Sequence, residues 1–263
     1  MRLASFLAPG SSTPRAGEVL DGRVLEFADE RVSVLDCLRE SDLRQAPKNA
    51  GWELADVTLL APVPAPRAIF GIGLNYADHV AEIGGQVPER PLVFMKLPSS
   101  AGAPNAPVRC PEVVRRLDYE GELAVVMGTD GQVAGYAIAD DLSARDLQKL
   151  EPQWTRAKGA DGFCPYGPWI TTIEEVPDPH ALSLRTWVDG ELRQDSSTSN
   201  LIFTIPQLVA FISETCTLQA GDLILTGTPG GVGMGLDPPR FLDSGAVVRI
   251  EIERLGAIEH AIA

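Results

Sequence analysis

Residues 121–141 read GELAVVMGTDGQVAGYAIADD. Two alternating runs of strand-forming residues flank a Gly-Thr-Asp-Gly stretch at 128–131, so the segment reads as a β-hairpin. Outward from it, further strands are expected in LSLRTWVDG (182–190), GDLILTG (221–227) and AVVRIEIERLG (246–256). Helices are expected at 205–216, where apolar residues recur at helical spacing, and at 142–150. Runs of strands with occasional helices predict an α+β, β-rich fold rather than a doubly wound one. Residues 1–60 read as a small N-terminal α/β domain. It has strands at 2–7 and 56–60, a hairpin turning at Asp21-Gly22, and a helix near VSVLDCLRESD (32–42). The stretch APVPAPRA at 61–68 carries three prolines and is the expected linker. The main domain is expected at 69–263.

The chain has 263 residues, with 44% hydrophobic and 22% charged, enough to bury a sizeable core. Its net charge of −14 argues against nucleic acid or an anionic membrane as a partner. Anionic small substrates stay open, because a pocket can carry its own cations. Only four of the 22 basic residues are lysines, so Lys96 and Lys158 stand out. The four cysteines are widely spaced and show no CxxC, which suggests a reducing cytoplasm. No secretory leader is expected from the first residues, and no apolar run reaches membrane-spanning length. With three histidines and no HExxH, a zinc site has little to build on.

Asp118, Glu120 and Glu122 alternate along one expected strand and so share a face. Burying three carboxylates together is costly unless a divalent cation offsets them, and oxygen ligands imply a hard ion. A solvated edge is the plainer alternative. The hairpin favours the ion, because it returns the acidic pair Asp140-Asp141 to the same neighbourhood. Arg145 and Gln148 lie at i, i+3 and can hold a carboxylate, or simply form a surface ion pair. His79 and Glu82 have the same spacing, which suits a general base oriented by a carboxylate; the Gly- and Pro-rich segment after them reads as a lid. Lys158 is expected on an irregular loop, as an oxyanion stabiliser or a surface lysine. Lys96 is either similar or the exposed end of a strand. The Gly-rich stretch 221–235 fits neither a P-loop nor GxGxxG; its amides, with Thr226 and Thr228, can cradle a carboxylate or form tight turns.

Together, GLNYADHVAE, PLVFMKLPSS, LDYEGELAVV, DDLSARDLQ, AKGADGFCPYGPW and GDLILTGTPGGVG resemble the fumarylacetoacetate hydrolase family, from about residue 65 onward. The branch resembled is that of acylpyruvases and 2-hydroxyhepta-2,4-diene-1,7-dioate isomerases. The resemblance implies a mixed β-sandwich roll, a homodimer and one Mg²⁺ or Mn²⁺ per subunit. It implies Glu120, Glu122 and Asp141 as metal ligands and His79, Glu82 and Lys158 as catalytic residues. Tyr76, Arg145, Gln148 and Thr228 are implied to contact the substrate, a small anionic oxo acid. The expected reaction is hydrolysis of a C–C bond in a 2,4-diketo acid. Oxaloacetate decarboxylation or dienoate isomerisation on the same site is the alternative, and a metal-stabilised binding protein is the non-enzymatic one.

Overall fold

The computed structural model describes residues 1–49, 51–82 and 84–263. The hairpin at its centre joins Gly121–Met127 to Val133–Asp140, with Gly121 opposite Asp140 and Glu122 opposite Ala139. Asp130 and Gly131 take positive φ in the turn, a conformation that Asp and Gly tolerate. Every residue of Gly121–Met127 is buried, so this strand lies inside the protein rather than at an edge.

The hairpin belongs to a twelve-stranded sheet. On one side Gly121–Met127 pairs with Leu223–Leu225, which runs parallel to Ile69–Gly73; Leu92–Lys96 closes that edge. On the other side Val133–Asp140 pairs with Cys164–Thr172, which pairs in turn with Arg2–Leu7. The strands Pro14–Leu20, Arg23–Glu26 and Trp52–Glu53 continue the sheet outward. The first sixty residues thus share one sheet with the rest. The expected linker is tied down as well: the Tyr166 hydroxyl donates to Val63 O at 2.6 Å and accepts from Val63 N at 2.8 Å.

A separate four-stranded sheet, Glu191–Ser197, Ser183–Val188, Val247–Ile252 and Gly256–Ala261, packs on the hairpin. Leu184, Ile250 and Ile258 from this sheet share a core with Leu123, Val125 and Ile138. A second core joins Leu3, Val34 and Cys37 to Ala124, Ala139 and Tyr166. The fold is α+β and strand-rich, as expected.

Helix boundaries differ from expectation for local reasons. The 205–216 helix is Ile205–Ser213, started by a Thr204–Gln207 capping box with Pro206 in its first turn. The 142–150 helix begins only at Arg145, because Ser143 and Ala144 pair with Asp118 and Leu117 as a short ladder. Lys158 ends a short helix, Thr155–Lys158, rather than lying on an irregular loop; the Gly159 amide closes that turn onto Thr155 O at 2.7 Å.

Candidate metal centre and cavity

Glu122 lies in the strand Gly121–Met127 and Glu120 immediately precedes it, while Asp141 immediately follows the partner strand Val133–Asp140 and so falls beside Glu120. The Asp141 amide donates to Glu120 O at 2.9 Å, and the Glu120 amide donates to Asp140 Oδ1 at 2.8 Å. One carboxylate oxygen from each of Glu120, Glu122 and Asp141 lies within 4.8 Å of the others, and all three residues are buried. Gly121 between the glutamates faces the four-stranded sheet, where any Cβ would strike the Thr186 hydroxyl. Asp118 does not continue the row inward. It accepts from Arg145 Nε at 2.8 Å, Gly233 N at 2.7 Å and Met234 N at 3.1 Å.

Three cations answer these carboxylates. Lys158 Nζ lies 2.7 Å from both Glu120 and Asp141. Lys96 is buried, not the exposed strand end considered above; its Nζ donates to Asp141 Oδ1 at 2.5 Å and also to the Lys158 carbonyl. Arg145 reaches Glu120 at 2.6 Å. Burial opposes the charge on Glu120, but Lys158 and Arg145 outweigh it and hold the carboxyl down to about 2. Glu122 differs: burial first, then Asp141 and Glu120, push its carboxyl well up. Among the described residues no ion pair reaches it; its recorded partner is the Gly227 amide at 2.7 Å. A buried carboxylate short of positive charge, beside two more carboxylates, fits a hard divalent cation.

These groups face a cavity of about 520 Å³ lined by Glu120, Glu122, His79, Arg145, Gln148, Lys158 and Thr228, among others. His79 Nδ1 is 3.4 Å from Glu82 Oε2, a loose contact, and Glu82 Oε1 accepts from Gly231 N at 2.8 Å. Arg145 donates to Gln148 Oε1 at 3.0 Å. The Thr228 hydroxyl donates to Gly121 O at 3.0 Å. Asp141 sits behind this lining, and Tyr76 is fully buried with its hydroxyl unpartnered and outside the lining. The Gly-rich stretch cradles carboxylates, but they are the protein's own: Gly227, Gly231 and Gly233 donate to Glu122, Glu82 and Asp118. Of the lid expected after Glu82, Ile83 lies outside the described residues, and residues 84–91 form neither helix nor strand.

Sequence reasoning passed over Gln194 and His260. Gln194 reaches up from the four-stranded sheet, accepting from Gly121 N at 3.0 Å and donating to Thr228 Oγ1 at 2.8 Å. His260 Nε2 lies 3.1 Å from Asp140 Oδ2, with both side chains buried. Neither belongs to a local motif; only strand alternation, which turns both inward, marks them.

Residues 68–263 match the family model described as fumarylacetoacetate (FAA) hydrolase C-terminal. The chain belongs to the fumarylacetoacetate hydrolase family. The resemblance of its motifs is thereby confirmed, and the protein is an enzyme of that family. Relatives in the family differ in reaction. An oxaloacetate tautomerase, the mitochondrial fahd2 of Xenopus laevis, is 39% identical over 291 residues, covering 100% of this chain and 90% of its own. The 2-hydroxyhepta-2,4-diene-1,7-dioate isomerase of Mycobacterium marinum superposes with TM-score 0.80 at 35% identity, covering 100% and 98% of the two chains. The maleylpyruvate hydrolase of Sphingobium sp. SYK-6, solved with manganese(II) and pyruvate, superposes with TM-score 0.79 at 31% identity, covering 100% and 99%.

Proposed function

We propose that this protein is a divalent-metal-dependent enzyme that moves a proton at the carbon beside the oxo group of a 2-oxo acid, interconverting keto and enol forms. Glu120, Glu122 and Asp141 would hold Mg²⁺ or Mn²⁺. The observation that carries this reading is Glu122, a buried carboxylate that no ion pair reaches among the described residues, opening on the same cavity as His79. The ion supplies Lewis-acid polarisation of the 2-oxo group when bound. Arg145 and Gln148 receive the substrate carboxylate by charge-assisted hydrogen bonds. His79, oriented by Glu82, carries the proton between that carbon and the 2-oxo oxygen, so the enol O–H proton ends on carbon in one direction and the C–H proton ends on oxygen in the other. The Lys158 ammonium offsets negative charge at the cavity floor. The whole-chain likeness to an oxaloacetate tautomerase supports this choice among the family's outcomes.

Hydrolysis of a 2,4-diketo acid is the second reading, favoured by the His79–Glu82 pair and by the likeness to a maleylpyruvate hydrolase. There His79 would activate water for attack on the distal carbonyl. One water is consumed, and a carboxylic acid and a 2-oxo acid leave.

The deciding experiment follows enol oxaloacetate and an acylpyruvate by NMR, with the protein treated with EDTA and then with Mg²⁺ or Mn²⁺ restored. Ketonisation should stop with EDTA while the fold persists, and return with the ion. His79→Ala should lower it about a hundredfold. Turnover that ignores EDTA, or a His79→Ala variant as fast as the parent, rules the proposal out. Acylpyruvate cleavage without ketonisation selects the second reading.

A further inference from the structure

We propose that His260 is a positioning residue for the carboxylate triad: acting through Asp140, it holds the main chain that carries Glu120 and Asp141 and so sets the spacing at which an ion is bound. This rests on the reading of Glu120, Glu122 and Asp141 as ligands of a divalent cation. The strand Gly256–Ala261 turns Ile258 and His260 to one face, Ile262 continues the row, and all three are buried. An imidazole in such an apolar row costs free energy unless a polar group answers it. Asp140 does so: His260 Nε2 lies 3.1 Å from Asp140 Oδ2, and both side chains are fully buried. Among the described residues neither that oxygen nor either ring nitrogen has a hydrogen-bond partner elsewhere. A carboxylate oxygen only accepts, so the ring proton that faces it sits on Nε2.

The other oxygen of the same carboxylate acts on the site. Asp140 Oδ1 accepts from the Glu120 amide at 2.8 Å, and the Asp141 amide donates to Glu120 O at 2.9 Å. Gly121 opposite Asp140 is the last paired position at this end of the hairpin. Glu120 and Asp141 therefore lie just beyond the ladder, while Glu122 lies inside it. Two of the three carboxylates depend for their placement on those two hydrogen bonds, and the Asp140 side chain makes one of them. Lys158, Lys96 and Arg145 answer the charges of Glu120 and Asp141, whereas Asp140 fixes the chain beneath them. Neither Asp140 nor His260 is among the residues lining the cavity, so His260 acts on the ligands' orientation and not on the substrate. A histidine that only filled the core would be served as well by leucine.

The test is the affinity of the EDTA-treated and dialysed protein for Mn²⁺ by titration calorimetry, with the EPR spectrum of the bound ion and the melting temperature in EDTA taken on the same samples. His260→Gln puts an amide donor the same number of bonds from Cβ as Nε2, and His260→Leu fills the space without a donor. Mn²⁺ should bind about tenfold more weakly to the Leu variant, and within about threefold of the parent to the Gln variant, whose EPR spectrum should match the parent's. If the Leu variant does not fold, His260→Leu/Asp140→Asn is compared with Asp140→Asn alone. Because His260 acts through Asp140, these two should bind Mn²⁺ equally and more weakly than the parent; a double variant about tenfold weaker than Asp140→Asn overturns the role. A Leu variant that melts lower yet binds Mn²⁺ as the parent does, or a Gln variant as weak as the Leu one, overturns the positioning role and leaves the metal reading standing. A parent that binds no Mn²⁺ overturns the metal reading and the role with it.

Discussion

Burial, together with the charges of Asp141 and Glu120, raises the Glu122 carboxyl above its ordinary value in the folded protein. The fold therefore favours the protonated side chain. The stability this lends is complete below the ordinary carboxylate range and is lost as pH rises through the raised value. In EDTA, Glu122→Gln should melt higher than the parent at pH 8 and close to it at pH 4, read by thermal denaturation. The same substitution should weaken Mn²⁺ binding by at least about tenfold, since even a group that only orients a ligand costs that much when removed. Cys164 gives a second residue-level prediction. Burial pushes its thiol up to about 12, and Cys37 up to about 11, whereas Cys216 is exposed. Thiol-specific reagent at pH 8 should modify Cys216 first and reach Cys164 and Cys37 only in denaturant. At this scale the sequence was most readable around the hairpin, where Glu120 and Asp141 flank its paired ends. Glu120, Glu122 and Asp141 converge because alternation and hairpin register dictate it. Asp118 broke the expectation because Leu117–Asp118 pairs with Ser143–Ala144, in a ladder apart from the large sheet, so the alternation does not carry through.

Among the elements, the loop after Leu223–Leu225 links the acid–base pair to the carboxylate triad. A Cβ at Gly235 would fall on the Glu82 carboxylate, the far end of a flexible side chain able to swing aside. Gly235→Ala should therefore leave the melting temperature within a few degrees, while lowering kcat about tenfold by releasing His79 from Glu82; steady-state assays and a melt on the same sample check this. The glycines were legible as an anion cradle, because closely spaced amides in a turn-rich stretch are donors in search of an acceptor. The acceptors were not legible. They come from positions 82, 118 and 122, brought to the loop by tertiary packing alone. The short helix holding Lys158 was missed for a related reason: a single turn leaves almost no periodicity to detect.

In the whole molecule, the sheet runs from Trp52–Glu53 to Leu92–Lys96 without a break at the expected linker. Leu3 is fully buried in the core that also holds Ala139 and Tyr166. Leu3→Ala should cost about 2–5 kcal/mol and shift one cooperative transition rather than create a second, measured by urea denaturation. The strand-rich α+β class was readable from turn signals and alternation. The pairing of Arg2–Leu7 with Cys164–Thr172 was not, since nothing local to either strand specifies a neighbour so distant in the chain. That pairing leaves only two strands, Cys164–Thr172 and Val133–Asp140, between the opening segment and the turn into Asp141. Disturbance of that opening strand would then be felt at Asp141 across two strands, as a splayed carboxylate triad long before any visible collapse.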